Sequence, residues 1–165
     1  MNRASIALLF SFLVSASGGL AQEQENFSIE DILSPGFPSN LVSARHSDRI
    51  AWIENERGMR NVYTAVPPDY DPVRLTGYLE DDGIDLTSLQ ISDDGEIVTF
   101  IRGHAPNREG WVANPTSNPR GGERVVWGMG TGGGNPWRVV AMQDYELSPD
   151  GRWVLYVEAG QIYRA

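Results

Sequence analysis

The sequence contains no cysteine and no lysine, and it has only two histidines, His46 and His104. Without cysteine, the chain can form no disulfide even in an oxidising compartment, and thiolate metal ligands are excluded. The 13 basic residues are all arginine and are outnumbered by 22 Asp and Glu residues, so the net charge is −9. Because this acidity opposes contact with a polyanion, we expect no nucleic-acid partner.

The sequence also has no apolar run long enough to cross a bilayer, which needs about 20 apolar residues. The longest run, residues 6–14, follows the positive charge of Arg3 and leads through small residues to Ala21. This order is typical of a secretory signal and disfavours the alternative, a retained membrane anchor. We predict a signal peptide over residues 1–21, no membrane span, and export to the periplasm or the extracellular space.

Residues 22–41 form the next segment, which begins with a polar stretch. Ser28 precedes apolar residues at helical spacing, Ile29, Ile32 and Leu33, and Pro35 follows them. Serine is a favoured helix N-cap, and proline cannot continue a helix. We predict one short helix in this N-terminal segment.

From residue 42 the sequence predicts strands. Short runs rich in β-branched and aromatic residues are separated by Gly, Pro, Asn and Asp. These runs are 50–53, 61–66, 97–101, 124–127, 137–140 and 153–157. No later segment keeps a helical period over three turns, so the fold class is all-β and mostly antiparallel.

An internal repeat organises these strands. Two Ser-x-Asp-Gly turns end at Gly95 and Gly151, and Ser47 occupies the same place in a third copy. The three positions lie 48 and 56 residues apart, and an aromatic residue follows each by five positions: Trp52, Phe100 and Tyr156. A four-stranded propeller blade takes about 40–50 residues. We predict an incomplete β-propeller over 42–165, with blades near 42–85, 86–140 and 141–165, the last truncated.

Three sequence patterns resemble ligand-binding or catalytic motifs, but each has a simpler structural explanation. The glycine motif of residues 128–133 precedes a strand rather than the helix that a dinucleotide loop needs, so a hairpin connection is expected. His46 and His104 fall in different blades, and we expect no metal, cofactor or catalytic site around them. The acidic residues 80–85 fail the EF-hand spacing, which favours a solvated turn over a weak cation site.

The five tryptophans could form a ligand-stacking surface or the packing between blades. Trp52, Trp127, Trp137 and Trp153 lie in or beside predicted strands, so we expect them in the core. Trp111 lies in a long insertion and is expected to be exposed.

The repeat resembles that of a known family. Ser-Pro-Asp-Gly, an aliphatic and aromatic strand, and then Gln161-Ile-Tyr163 resemble the propeller repeats of TolB-type proteins. The same repeats form the N-terminal propeller of the prolyl oligopeptidase family of serine peptidases. Residues 50–63, 74–83 and 102–121 resemble exported bacterial members of that family. The resemblance covers about residues 27–165.

This resemblance implies a propeller that limits which peptides reach a C-terminal α/β-hydrolase domain. In that domain a Ser on a G-x-S-x-G turn acts with Asp and His. The sequence contains no G-x-S-x-G. We therefore expect no catalytic residue here, no activity of the chain alone, and a hydrolase domain missing after Ala165. The alternative is a non-enzymatic TolB-like propeller that binds protein partners in the cell envelope.

Overall fold

The computed structural model describes residues 28–142 and 144–165, so the predicted signal peptide lies outside the described residues. The described chain begins with one short helix, α1 (Ile29–Leu33). Ser28 caps it, because its Oγ accepts from the Asp31 backbone N–H at 3.0 Å while its own N–H donates to the Asp31 carboxylate at 3.0 Å. This capping box confirms the predicted helix.

The strands that follow form three antiparallel sheets. Sheet 1 contains β1 (Phe37–Ser43), β2 (Ile50–Glu56), β3 (Met59–Ala65) and β4 (Val73–Arg74), in that order. Sheet 2 contains β5 (Leu86–Ile91), β6 (Ile97–Arg102), β7 (Val125–Gly130) and β8 (Trp137–Val140). Sheet 3 contains β9 (Tyr145–Leu147), β10 (Val154–Glu158) and β11 (Gln161–Arg164). The prediction of an all-β fold of blade-like antiparallel sheets is confirmed.

The sheets repeat one another in register as well as in strand order. The aromatic residue five positions after each turn lies opposite an aromatic residue of the next strand. The pairs are Trp52 with Tyr63, Phe100 with Trp127, and Tyr156 with Tyr163. The first and third pairs stack, with ring centroids 5.8 Å and 5.7 Å apart. Cross-strand aromatic pairs stabilise a hairpin, which explains why the same positions are aromatic in each sheet.

The first strand of each of sheets 1 and 2 carries the same irregularity. The pairing of β1 shifts between Ser39 and Val42, and that of β5 shifts between Thr87 and Gln90, which is 48 positions later. Within these bulges Asn40 and Ser88 have φ of 52° and 54°. The repeat therefore extends upstream of the turn, and β1 lies partly in the segment 22–41 that the sequence assigned to the N-terminal part.

The core lies between the sheets. One buried cluster joins sheets 1 and 2 through residues such as Ile53, Val62, Phe100 and Met129. A smaller cluster joins sheets 2 and 3 through Ile101, Val126, Tyr145 and Val154. Sheet 2 is thus buried on both faces, whereas sheets 1 and 3 each bury one.

The tryptophans divide according to these faces. Trp127 packs against the core and Trp111 is 75% exposed, as expected, but Trp52 is partly buried outside the core, on the outer face of sheet 1. The prediction that Trp137 and Trp153 belong to the core was wrong, because they are 47% and 39% exposed. Trp137 covers the edge of sheet 2, and Trp153 lies under the Arg164 guanidinium, 4.3 Å from its ring centroid. Among the described residues, no helix has the length and apolar character needed to cross a bilayer.

Candidate functional site

The repeated turns have the same hydrogen bonds in sheets 2 and 3. Ser92 Oγ donates to Asp94 at 2.6 Å and accepts from the Ile97 N–H at 3.0 Å. Ser148 Oγ donates to Asp150 at 2.6 Å and accepts from the Trp153 N–H at 2.9 Å. The two serine hydroxyls, together with backbone N–H donors, hold the pKa of each aspartate below its usual value. The serine and the aspartate therefore organise the loop before the second strand of each sheet.

The first copy of the turn lacks these side chains. Ala44 stands where the other copies have serine, and it keeps only the backbone bond from its N–H to Arg49 O at 3.0 Å. His46 occupies the aspartate position, with its side chain exposed. Its backbone N–H donates to Asp93 O at 2.7 Å, and the Asp93 N–H donates in turn to Pro149 O at 2.8 Å. These bonds join the turns of successive sheets side by side.

A second link between sheets is the side chain of Gln90 on β5. Its Nε2 donates to Tyr145 O at 3.0 Å, and its Oε1 accepts from the Leu147 N–H at 2.7 Å. The Tyr145 hydroxyl donates back to Ser88 O at 2.6 Å, and burial raises the pKa of this tyrosine. These bonds fix the first strand of sheet 3 against the first strand of sheet 2.

The first strands of the three sheets surround an open cleft of about 400 Å³. Strand β5 contacts both β1 and β9 along it. The charged residues that line the cleft are Arg45, Asp93 and Glu146, and Arg45 Nε lies 3.8 Å from the Asp93 carboxylate. Val42, Leu89 and Pro149 provide apolar surface between them. This cleft is the candidate site, because it brings charged and apolar side chains of all three sheets together.

The acidic turn of residues 80–85 lies against cationic side chains from two other segments. Arg60 lies 3.6 Å from Asp81 and 3.7 Å from Asp85, and Arg102 pairs with Asp82. The Arg102 guanidinium also covers the Tyr78 ring at 4.4 Å from the centroid. The carboxylates are thus partnered as well as solvated, and these cations tie the turn to sheets 1 and 2.

His104 belongs to the same cluster. Its Nδ1 lies 2.8 Å from the Asp85 carboxylate and its Nε2 2.7 Å from Gly83 O. The structure therefore brings His104 beside the acidic turn. His46 is not part of this cluster and lies in the turn of sheet 1. Within residues 28–142 and 144–165, no three His, Asp or Glu side chains are grouped to hold a metal ion.

The insertion of residues 103–124 connects β6 to β7 beside this cluster. With Arg102 and Trp127 it encloses a small cavity of about 100 Å³ whose lining includes Asn114 and Glu123. Asn114 closes the insertion on itself, donating to Asn118 O at 2.8 Å and accepting from the Asn118 N–H at 2.9 Å. The cavity is large enough for water molecules but not for a peptide.

The glycine motif of residues 128–133 forms a hairpin, as predicted. Gly128 and Gly130 lie within β7, and β8 returns antiparallel to it. The Trp137 indole lies over Gly128, where an added Cβ would come within 2.6 Å of the ring. The glycine at this position is therefore explained by packing under a tryptophan.

The fold and these sites together define an all-β protein of blade-like sheets with a cleft between their first strands. No protein-family model matches the chain, and no curated protein does. One solved structure that matches comes from a study of two prolyl endopeptidases and of inter-domain dynamics in their catalysis and specificity. It is 14% identical with a TM-score of 0.49, and the match covers 78% of this chain and 19% of that chain. The chain therefore spans about a fifth of the length of that protein, and a likeness this distant says nothing about activity.

Proposed function

We propose that the chain is the N-terminal propeller part of an exported, prolyl oligopeptidase-like serine peptidase. In this proposal the sheets gate or dock peptide substrates, and a hydrolase domain outside these residues performs the chemistry. The proposal rests on one observation above others. Residues 102–121, which resemble an insertion typical of that family, lie almost entirely between β6 and β7 of the second blade-like sheet.

The cleft between the first strands suits a gating role. It presents apolar side chains and charges of both signs, which are groups that an extended peptide can contact. A volume of about 400 Å³ accommodates a few residues of peptide and excludes a folded protein. Arg45 lines this cleft and is exposed, so it is placed to contact the carboxylate or carbonyl groups of a peptide.

The first test is the coding sequence beyond Ala165. We expect a reading frame that encodes G-x-S-x-G followed by Asp and His. The encoded full-length protein should react with a fluorophosphonate probe, and the 165-residue chain should not. A stop codon after a few further blades would favour the TolB-like alternative, and labelling of the 165-residue chain would contradict the proposal directly.

The second test addresses gating in the full-length peptidase. Arg45→Glu should change kcat/KM for short peptides by roughly tenfold, the effect of losing one charge contact worth about 1.4 kcal/mol. The matched control is Arg108→Glu, because Arg108 is an exposed arginine in the insertion, outside the cleft lining. Equal effects of the two variants on kcat/KM would exclude the cleft as the peptide path.

A further inference from the structure

One position of the repeated turn lines the cleft in all three sheets. Arg45, Asp93 and Pro149 each follow the first residue of their turn, and each contributes to the cleft lining. In sheets 2 and 3 the serine, aspartate and glycine around this position make the hydrogen bonds and the positive φ of the turn. The residue at this position is a cation, an anion and a neutral ring in the three sheets. The turn can therefore present a different chemical group to the cleft from each sheet.

Asp93 is the most firmly held of these three residues. Its backbone O accepts from the His46 N–H at 2.7 Å, and its own N–H donates to Pro149 O at 2.8 Å, so both neighbouring turns hold it. Its side chain is 22% exposed, against 79% for the side chain of Arg45. Arg45 Nε lies 3.8 Å from the Asp93 carboxylate. A fixed carboxylate thus orients a long, exposed arginine at the cleft.

The same contact leaves the outer part of the Arg45 guanidinium accessible. Its closest approach to Asp93 is through Nε, which leaves the two terminal NH₂ groups on the far side of the guanidinium. No other carboxylate of residues 28–142 and 144–165 lies within ion-pair distance of Arg45. The terminal NH₂ groups of a guanidinium form a planar fork that matches the two oxygens of a carboxylate.

Every unblocked peptide carries one such carboxylate, whatever its sequence. The cleft of about 400 Å³ accommodates only a few residues, so a short peptide that occupies it has its ends close to the lining residues. The backbone between those ends is neutral, whereas the C-terminus is an anion. Val42 and Pro149 add apolar surface to the cleft, which the last side chain of a peptide can contact.

We propose that the cleft recognises the C-terminal carboxylate of short peptides, with Arg45 as the binding residue and Asp93 as the positioning residue that orients it. The inference rests on the proposed function in one respect, namely that peptides enter this cleft. A carboxylate can accept from both arms of the guanidinium, whereas a carboxamide offers a single oxygen. The class of ligand is therefore the free oligopeptide, rather than an internal segment of a longer chain.

The test compares three short peptides that carry the same fluorophore on the N-terminus. The first ends in a free carboxylate, and the second has the same sequence but ends in a carboxamide. The third also ends in a carboxamide and carries its single carboxylate on an internal Glu. The protein is the one that the complete reading frame encodes, treated with the fluorophosphonate probe so that no peptide is cleaved. Fluorescence anisotropy then gives the three affinities.

The parent protein should bind the free acid roughly tenfold more tightly than either carboxamide, the effect of one bidentate contact between charged groups. Arg45→Gln should abolish this preference. Arg45→Lys should retain only part of it, because an ammonium keeps the charge but lacks the fork. Arg108→Gln is the matched control and should retain all of it, since it removes the same charge from an exposed arginine outside the cleft lining.

Asp93→Ala tests the positioning role separately. Removal of a negative charge near the ligand would by itself strengthen binding of the free acid. Loss of the group that orients Arg45 should instead weaken it, so the preference for the free acid should fall. A preference that rises in Asp93→Ala would contradict the role of Asp93.

Three further results would overturn the proposal. They are equal affinities of the parent for the free acid and its carboxamide, a preference that survives Arg45→Gln, and equal binding of the free acid and the internal-Glu peptide. Labelling by the fluorophosphonate probe reports on the proposed function independently. A labelled protein without the preference would reject this inference alone, and an unlabelled protein with an Arg45-dependent preference would reject the peptidase proposal alone.

Discussion

At the scale of single residues, the glycines of the two Ser-x-Asp-Gly turns have two roles. Gly95 and Gly151 have φ of +80° and +67°, which side chains rarely allow. They also pack against the turn of the preceding sheet. An added Cβ on Gly95 would lie 2.5 Å from Ser47 Oγ, and one on Gly151 would lie 3.0 Å from the Ser92 Cβ. The turn and the contact between sheets therefore depend on the same residue.

Gly95→Ala should lower the free energy of unfolding by about 1–2 kcal/mol, because alanine is strained at positive φ. The measurement is urea unfolding followed by circular dichroism at fixed protein concentration. Gly132→Ala is the matched control, since no described atom lies within 4 Å of an added Cβ there and its φ is not in the left-handed region. Adding Ser47→Ala to Gly95→Ala should recover any part of the loss that comes from the contact with Ser47 Oγ. Equal destabilisation by Gly95→Ala and Gly132→Ala would contradict this account.

At the scale of secondary-structure elements, the first strands attach one sheet to the next. The short strand β9 has a single neighbour in its own sheet, β10. Its other edge is held by the side chain of Gln90, which replaces the backbone partner that a further strand would supply. The bulge around Ser88 contributes to the same link, because Ser88 O accepts from the Tyr145 hydroxyl. A side-chain amide thus completes the hydrogen bonding of a strand edge.

Gln90→Ala should lower the free energy of unfolding by about 1–3 kcal/mol, because Tyr145 O and the Leu147 N–H lose their partners in a part-buried place. Hydrogen exchange should become faster in β9 before it does in β2. Gln161→Ala is the control, since Gln161 is exposed and should change stability by less than about 0.5 kcal/mol. Unchanged exchange in β9 would mean that Gln90 does not hold this strand.

At the scale of the whole molecule, the middle sheet carries most of the packing. Phe100 is fully buried between sheets 1 and 2, and Ile101 is fully buried on the opposite face. Sheets 1 and 3 have no such second contact within the described chain. The stability of the single chain therefore depends chiefly on sheet 2, the one sheet that is buried on both faces among the described residues.

Phe100→Ala should lower the free energy of unfolding by about 3–5 kcal/mol, the usual cost of removing a buried phenyl group. A loss of this size is a large part of the stability of an ordinary domain. Trp111→Ala removes an aromatic ring of greater size from an exposed position and should have little effect on unfolding. Comparable losses from the two variants would indicate that the insertion, rather than the middle sheet, holds the molecule together.

The outer faces of sheets 1 and 3 lead us to expect that the 165-residue chain alone is poorly stable or aggregates. Among the described residues each of these sheets buries only one face, so apolar side chains such as Val157 stay exposed. A cooperative unfolding transition of a monomeric fragment of residues 22–165 would contradict this expectation.

Much of the fold could be predicted because its signals are local. The short helix follows from Ser28 and Asp31, three positions apart, and the turns follow from serine, aspartate and glycine at fixed offsets. The strands that were predicted contain runs of β-branched and aromatic residues. The repeat strengthens the prediction of the strands and turns, because the same offsets occur in successive sheets.

Strands β1 and β5 were not predicted because they contain a bulge. Asn40 and Ser88 take positive φ within them, and this breaks the alternation by which a strand is identified. Non-glycine residues are held in that conformation by the surrounding sheet rather than by their own preference. Strand β9 was missed because it has only three residues.

The candidate cleft could not be predicted residue by residue. It consists of side chains from β1, β5 and β9 and the turns after them, which are far apart in sequence. The partners of the acidic turn were missed for the same reason, because Arg60, Arg102 and His104 come from different strands and loops. No local pattern marks residues that only the packing of the sheets brings together.

The sequence by itself determined the fold class, the repeat and its turns, because hydrogen bonds within a few residues and the period of the strands produce them. Only the tertiary structure decided which faces are buried, which tryptophans are exposed and where the cleft lies. Those properties depend on whether a sheet has a neighbouring sheet on each side. Because the repeat is alike in each sheet, its sequence does not indicate which sheets have two neighbours. Trp52 and Phe100 occupy equivalent positions, yet Trp52 lies on the open outer face of sheet 1 and Phe100 lies in the core.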